Sequence, residues 1–177
     1  IEAGETQERI GVRRVLLAHA LAMSTGGVPL LYLGDEVGQL NDYTYSERPA
    51  EAGDSRWVNR PYRPAGAYAS RLDTATTAGR AFAGLRRLIQ VRQTTPELGG
   101  GALVPFHTPH RSLVAFQRPG WMTDLPRVLV LANVGDEAVQ VAAQTLSGFD
   151  SLARDLITGR VLDLRDGVEI ASLGYLW

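Results

Sequence analysis

Two adjacent carboxylates, Asp35 and Glu36, are the first candidates for acid–base chemistry, because they directly follow an unbroken apolar segment at residues 28–33. Adjacent residues at the end of a strand tend to point to opposite sides, so two such carboxylates rarely share one substrate bond. The other interpretation is that both accept hydrogen bonds from the backbone and fix the chain where it leaves the segment. Gly34 and Gly38 favour tight backbone turns at this place.

The composition excludes several other kinds of chemistry within these 177 residues. All 18 basic residues are arginine, and the sequence contains neither lysine nor cysteine. Schiff-base chemistry, thiol nucleophiles, thiolate metal sites and disulfides are therefore excluded. His107 and His110 flank a turn without a further ligand at metal-binding spacing, so we expect no metal and no cofactor. The net charge of −1 provides no steering toward nucleic acid or an anionic membrane, and no apolar run approaches the ~20 residues that span a bilayer.

The elements that must position the carboxylates lie in the first hundred residues. Helical periodicity predicts helices over residues 6–24 and 77–93, separated by the segment 28–33 and a long polar loop at 34–77. The segment shows no alternation of polar and apolar positions, which is typical of a strand buried on both faces in a parallel sheet. Such a strand needs parallel neighbours, and nothing else in the sequence resembles one. We therefore expect the chain to be one end of a larger protein.

The second part of the sequence has a different pattern. Short apolar runs separated by turn residues predict an antiparallel β-sandwich after residue 101. The sequence thus divides into an α/β part at residues 1–98 and an all-β part at 101–177. The predicted strands lie at 102–106, 112–117, 127–133, 138–142, 153–157 and 168–173.

Residues 27–36, Gly-Val-Pro-Leu-Leu-Tyr-Leu-Gly-Asp-Glu, resemble the last-strand signature of the α-amylase superfamily of glycoside hydrolases. Two further segments are similar to amylosucrase and its sucrose-hydrolysing relatives: residues 38–42, Gly-Gln-Leu-Asn-Asp, and residues 54–57, Asp-Ser-Arg-Trp. Asn59 departs from that group, in which a histidine precedes the Arg-Pro pair.

This resemblance implies a fold in which the chain completes a (β/α)8 barrel. Residues 6–24 would be helix seven, 28–33 strand eight and 77–93 helix eight, followed by the small C-terminal β-sandwich domain. The loop after strand eight would face the substrate, because active sites of such barrels lie at the carboxyl ends of the strands.

The resemblance also implies an activity, namely that of a retaining enzyme that takes glucosyl from sucrose and passes it to a glucan or to water. In that family the nucleophile, the acid/base and a third, sugar-binding carboxylate come from earlier strands. We therefore expect no catalytic residue in this chain, and we expect the isolated chain to be inactive. Its partners would be sucrose or an α-glucan and the missing N-terminal barrel segments.

Five residues of the loop are candidates for substrate binding. In the resembled amylosucrases an arginine at the position of Arg56 pairs with an earlier aspartate and closes the glucosyl pocket. The alternative is an ion pair with Asp54 or Glu51 at the surface, which contributes little. Tyr43 could stack on a sugar ring, and Asn41 and Asp42 could reach sugar hydroxyls or cap the next turn. The candidate set is Arg56, Asp54, Asn41, Asp42 and Tyr43.

Two other hypotheses remain open at this point. A non-catalytic carbohydrate-binding or scaffold protein could be built from the same elements, with a partner covering the edge of the strand at 28–33. An independent α+β domain would require this segment to pair with strands after residue 101.

Overall fold

A computed structural model describes residues 6–120 and 127–177. These residues form two compact units. One contains residues 6–30 together with the described residues from 85 onward, and the other contains residues 31–84. The first unit carries all eight β-strands found in the described residues, and the second carries the polar loop.

Helix α1 spans Gln7–Ser24, which confirms the helix predicted over residues 6–24. The Thr6 hydroxyl accepts a hydrogen bond from the backbone N–H of Arg9 at 3.4 Å and so satisfies one free donor of the first turn. The apolar face of α1 packs on the β part of its own unit, where Ile10 and Leu17 form a buried cluster with Ala132 and Leu173. Burial of this face stabilises the helix more than its intrinsic propensity does.

A second long helix spans Thr77–Gln93 and coincides with the predicted helix over residues 77–93. Leu85 and Leu88, three positions apart on the helix, are 1% and 0% exposed. The short 3₁₀-helix Pro96–Leu98 follows with a proline in its first turn, where the missing N–H costs no hydrogen bond.

The β part consists of antiparallel sheets, as the alternation of apolar runs and turns predicts. One sheet has four strands in the order β1-β2-β3-β8, and two further pairs are β4 with β7 and β5 with β6. Two short strands, β6 and β8, were not predicted. The strands are β1 (Val104–Pro105), β2 (Leu113–Arg118), β3 (Val128–Asn133), β4 (Val139–Val141), β5 (Leu152–Arg154), β6 (Val161–Asp163), β7 (Val168–Ile170) and β8 (Tyr175–Leu176).

The core of the β part joins the four-stranded sheet to the β4–β7 pair. Leu131 of β3 lies in one buried cluster with Val139 and Val141 of β4 and Ile170 of β7. Side chains that alternate along these strands point into this cluster, so its apolar area holds the sheets face to face. The division of the chain at residues 98–101 stays a prediction.

The segment at residues 28–33 is not the buried strand that its sequence predicts. None of its residues belongs to a strand, and Val28 and Leu30 are 97% and 87% exposed. A parallel strand is stable only when neighbours bond its N–H and C=O groups, and the described residues supply no such neighbour. The segment does not pair with any strand described at 102–120 or 127–177 either, which argues against an independent α+β domain.

The polar loop also differs from its prediction, because it contains four short helices. Three are 3₁₀-helices, at Asp35–Val37, Tyr43–Glu47 and Ser55–Asn59, and the fourth is α-helix α2 at Ala65–Ser70. The helix Thr77–Gln93, which is α3, begins in this unit. Aspartate side chains cap two of the 3₁₀-helices, which is how a polar loop of this length keeps a defined backbone.

Candidate functional site

The Gly-Asp-Glu turn after residue 33 is held by its own carboxylates. Glu36 Oε2 accepts a hydrogen bond from the backbone N–H of Gly34 at 2.8 Å, and Asp35 Oδ2 accepts one from the N–H of Tyr32 at 3.3 Å. Gly34 has φ 107° and Gly38 has φ 64°, so both occupy the left-handed region that favours glycine. Both carboxylates accept backbone hydrogen bonds of the turn, as the second interpretation expects. That the chain holds no catalytic residue stays a prediction.

A tyrosine and an arginine complete the environment of Glu36. The Tyr68 hydroxyl donates to Glu36 Oε1 at 2.7 Å, and the Arg63 guanidinium lies 4.3 Å from the centre of the Tyr68 ring. Burial raises the pKa of Glu36, but the hydrogen bonds from Tyr68 and the backbone and the charge of Arg63 outweigh it, and the pKa falls below its ordinary value. Glu36 is therefore an ionised acceptor that ties the turn to α2.

A second cluster, made of Asp42, Arg48, Glu51 and Tyr62, organises the middle of the loop. The Arg48 guanidinium bridges two carboxylates: Nη2 donates to Asp42 at 2.6 Å and Nε donates to Glu51 at 2.5 Å. The Tyr62 hydroxyl donates to the other oxygen of Glu51 at 2.6 Å, and Glu51 is 5% exposed. These side-chain contacts join the two ends of the loop at residues 42–62, which a backbone hydrogen bond from the Asp42 N–H to the Val58 carbonyl at 2.9 Å also connects.

Hydrogen bonds also set the protonation of this cluster. Those from Thr44 and then Arg48 lower the pKa of Asp42, and the one from Tyr62, followed by Arg48, lowers the pKa of Glu51. Both carboxylates are therefore ionised and serve as acceptors. Through these hydrogen bonds they hold the backbone of the loop.

Arg56 and Asp54 form a bidentate ion pair at the surface. Arg56 Nε lies 2.8 Å from Asp54 Oδ1 and Nη2 lies 2.7 Å from Oδ2, and the Asp54 side chain also accepts from the Arg56 backbone N–H at 3.0 Å. The Arg56 side chain is 71% exposed. Of the two acidic partners considered for Arg56, the structure therefore shows Asp54, while Glu51 is taken by Arg48.

The pKa of Asp54 reports whether its ion pair with Arg56 is formed. Hydrogen bonds from the Arg56 side chain and then its backbone hold the pKa of Asp54 at about 2, below its ordinary 3.8. Because the folded pKa is lowered, the contribution of the pair is present above the unfolded pKa and is lost as the pH falls through about 2. We expect an NMR titration to show this lowered midpoint, and Arg56→Ala to return it toward the ordinary value.

Asp163 is the internal reference for this titration. Its pKa is also held at about 2, by Arg165 in the other unit. The Asp163 midpoint should not move in Arg56→Ala. An unshifted Asp54 in the unsubstituted protein would contradict the ion pair.

The remaining predicted residues are placed as follows. Tyr43 is 74% exposed and Asn41 is also exposed. Asp42 accepts from the backbone N–H of Thr44 at 2.9 Å, so it caps the 3₁₀-helix Tyr43–Glu47, which was one of its two expected roles. Sequence reasoning missed Arg48, Tyr62 and Tyr68 as partners. The only signal for them was the density of charged and tyrosine residues in the loop.

No group of three or more metal-binding side chains occurs within residues 6–120 and 127–177. No helix in the same residues has the length and the apolar character needed to cross a membrane. What the site offers is a set of charged and hydroxyl groups around an exposed arginine, an exposed tyrosine and an exposed asparagine. Such groups suit recognition of a polyhydroxylated ligand by hydrogen bonds and ring stacking.

Comparison with curated proteins finds similarity to a sugar phosphorylase. No protein-family model matches the chain. Glucosylglycerate phosphorylase of Escherichia coli is 28% identical over 162 residues, which cover 91% of this chain and 28% of the phosphorylase. The chain therefore spans little more than a quarter of that relative's length.

Two solved structures share the fold at lower identity. A pullulanase complexed with maltotriose, from an Anoxybacillus species, matches with a TM-score of 0.67 and 17% identity over 98% of this chain and 23% of its own. Trehalose-6-phosphate hydrolase of Bacillus licheniformis matches with a TM-score of 0.66 and 14% identity over 95% of this chain and 38% of its own.

These likenesses support the α-amylase superfamily. Within that superfamily the antiparallel sheets are consistent with a C-terminal β domain. The relatives do not show the amylosucrase group in particular, and the strand and helices of a barrel stay a prediction.

Proposed function

We propose that this chain is the C-terminal part of a retaining α-glucosyl-transferring enzyme, in which residues 31–84 supply part of the sugar pocket. The observation that carries the proposal is the similarity to glucosylglycerate phosphorylase along 91% of the chain. This similarity includes the Gly-Asp-Glu turn and the loop after it. A likeness confined to the β part would not have supported a catalytic parent.

The catalytic carboxylates of this enzyme come from outside the chain. Retaining glycoside chemistry needs a nucleophile and an acid/base about 5 Å apart on the two sides of the scissile bond. Asp35 and Glu36 each accept from the backbone of their own turn, and Asp42 and Glu51 are engaged by Arg48. The role of the chain is therefore to shape and close the pocket around the glucosyl group.

Arg56 is the residue that closes this pocket, by binding an aspartate from an earlier strand. Its guanidinium uses Nε and Nη2 on Asp54, and Nη1 forms no hydrogen bond to any residue of the described ranges. Arg56 can thus donate to a second carboxylate through Nη1 while Nε and Nη2 stay bound to Asp54. A closed pocket of this kind favours a short donor such as sucrose over a long glucan, and Tyr43 and Asn41 would contact the other sugar.

A second candidate differs in the acceptor. The name of the curated relative describes a phosphorylase that acts on glucosylglycerate. In this second candidate, phosphate is the acceptor in place of a glucan or water. The donor would again be a short α-glucoside. Non-catalytic binding is not favoured, because the three relatives are all named as enzymes.

The test is a product analysis of the full-length protein. It is incubated with sucrose or with glucosylglycerate, each with and without inorganic phosphate. Free glucose or a lengthening glucan from sucrose supports the amylosucrase-type activity, and glucose 1-phosphate formed only with phosphate supports the phosphorylase. Residues 1–177 alone should give no product. Absence of turnover with both donors in the full-length protein would contradict the proposal.

A further inference from the structure

Two arginines in the unit that carries the β-strands are bound entirely by backbone carbonyl groups. Arg92 lies at the end of α3, and Arg118 is the last residue of β2. Arg118 is 1% exposed and is the largest side chain among the fully buried ones of the described residues. All six hydrogen bonds found for these two guanidinium groups go to main-chain oxygens, and none goes to a carboxylate.

The six carbonyls belong to two short stretches of chain, and the two arginines share both. Within residues 23–27, Arg92 donates to Met23 and, at 2.6 Å, to Gly27, while Arg118 donates to Thr25 at 3.0 Å. Within residues 97–100, Arg92 donates to Leu98 at 2.7 Å, and Arg118 donates to Glu97 at 3.2 Å and to Gly100.

The first stretch is the turn that ends α1 and leads into the apolar segment. Gly26 and Gly27 have φ of 97° and 70°, and a Cβ placed on Gly26 would lie 3.0 Å from Arg118 Nη2. The turn is therefore in direct contact with the Arg118 guanidinium. A side chain at residue 26 would push the two apart.

Arginine suits this position better than any other cation. A planar guanidinium has five donors in a fixed arrangement and stays charged when buried. Carbonyls at a helix C-terminus lack partners within the helix and attract a positive charge. Burial lowers the pKa of both groups, and the charge of Arg118 lowers that of Arg92 further. The guanidinium groups of Arg92 and Arg118 repel each other. The partial negative charges of the carbonyl oxygens at residues 23–27 and 97–100 offset this repulsion.

We propose that Arg92 and Arg118 are positioning residues, which hold the turn at residues 24–27 in one conformation at the point where α1 ends and the segment 28–33 begins. This inference rests on the proposed function, because that segment leads directly to the Gly-Asp-Glu turn and the sugar-binding loop. Neither arginine touches the reacting atoms. Through Arg118 the β part of the chain contacts the backbone that precedes this segment.

The experiment compares variants of the full-length protein by hydrogen exchange and by glucosyl transfer. In Arg118→Met the lost donors leave carbonyls of the turn without a partner, so we expect exchange at residues 24–34 to become about tenfold to a hundredfold faster. Exchange in β2 and β3 should stay the same. Glucosyl transfer should fall about tenfold in kcat/KM, and Arg118→Lys should restore part of both losses.

Arg87→Met is the matched control. Arg87 also lies on α3 and also donates to two carbonyls, those of Ile157 at 2.7 Å and Leu156 at 2.8 Å, but it makes no hydrogen bond to the turn. The Arg87→Met variant should leave hydrogen exchange at residues 24–34 unchanged. Arg92→Met serves as a second variant if Arg118→Met does not fold, because it removes the donors to Met23 and Gly27 of the same turn and leaves Arg118 in place.

Each outcome decides one of the two proposals. Unchanged exchange at residues 24–34, or equal acceleration in all segments, would overturn the positioning role, and so would faster exchange in this segment with full activity. If the unsubstituted protein transfers no glucosyl group while the local effect on exchange is present, the proposed function fails and the role of the arginines in holding the turn stands.

Discussion

Replacing Arg56 with alanine in the full-length enzyme is expected to lower kcat/KM for the glucosyl donor about a hundredfold or more. Its partner from an earlier strand would be left as an unpaired carboxylate in the pocket, and the pocket would lose its closed end. Because this contact holds the donor before and during bond cleavage, KM should rise and kcat should fall. Steady-state kinetics with the donor identified by product analysis provide the measurement.

Arg165→Ala is the matched control for this experiment. Arg165 binds Asp163 with the same geometry, Nε to Oδ1 at 2.9 Å and Nη2 to Oδ2 at 2.5 Å, and its side chain is 72% exposed against 71% for Arg56. The two pairs have the same spacing and both cap a 3₁₀-helix. Equal kcat/KM in both variants would remove Arg56 from the pocket and leave it as a surface ion pair.

The two long helices could be predicted because their signal is local. The apolar face of α1 repeats with the helical period, and the glycines at residues 26 and 27 end the helix in the left-handed conformation. The bounds predicted for α3 match those observed. Strands β6 and β8 were missed because elements of two or three residues are too short to show a period.

The segment at residues 28–33 shows the opposite case. Its composition predicts a strand with both faces covered, yet Leu33 is 68% exposed and no strand in the described part of the chain pairs with the segment. The composition of a segment indicates the environment in which it is stable. The strands that provide this environment can lie outside the 177 residues of this chain. In the full-length enzyme proposed above, the other strands of the barrel would be those neighbours.

The candidate site was predictable only in part, for a related reason. Asp54 and Arg56 are two residues apart, so their pairing could be considered from the sequence alone. Tyr62 and Glu51 are separated by eleven positions, and Tyr68 and Glu36 by 32. These contacts depend on the path of an irregular loop, which no periodic pattern describes.

Asn133→Asp is expected to destabilise the 177-residue chain by about 3 kcal/mol, which corresponds to a fall in its thermal midpoint of roughly 6–12 °C. Asn133 is 0% exposed at the end of β3, and its Nδ2 donates to the carbonyls of Glu137 at 2.7 Å and Ala171 at 3.1 Å. Its Oδ1 accepts from the N–H of Gly135 at 2.9 Å. A carboxylate in this place would keep the acceptor but would direct negative charge at the carbonyls that the amide now satisfies.

The pH dependence separates this electrostatic cause from a packing defect. Burial next to carbonyl oxygens disfavours the charged carboxylate, so the introduced group should have a raised pKa and its destabilising effect should diminish as the pH falls through that pKa. Asn133→Ala, which removes the same hydrogen bonds without adding a charge, should show a deficit of about 2 kcal/mol that does not change in this way. Calorimetry of both variants between pH 5 and 8, with the exposed Asn59→Asp as control, gives the comparison. If the two Asn133 variants keep the same difference in midpoint across that range, repulsion between the carboxylate and the carbonyls does not account for the loss of stability.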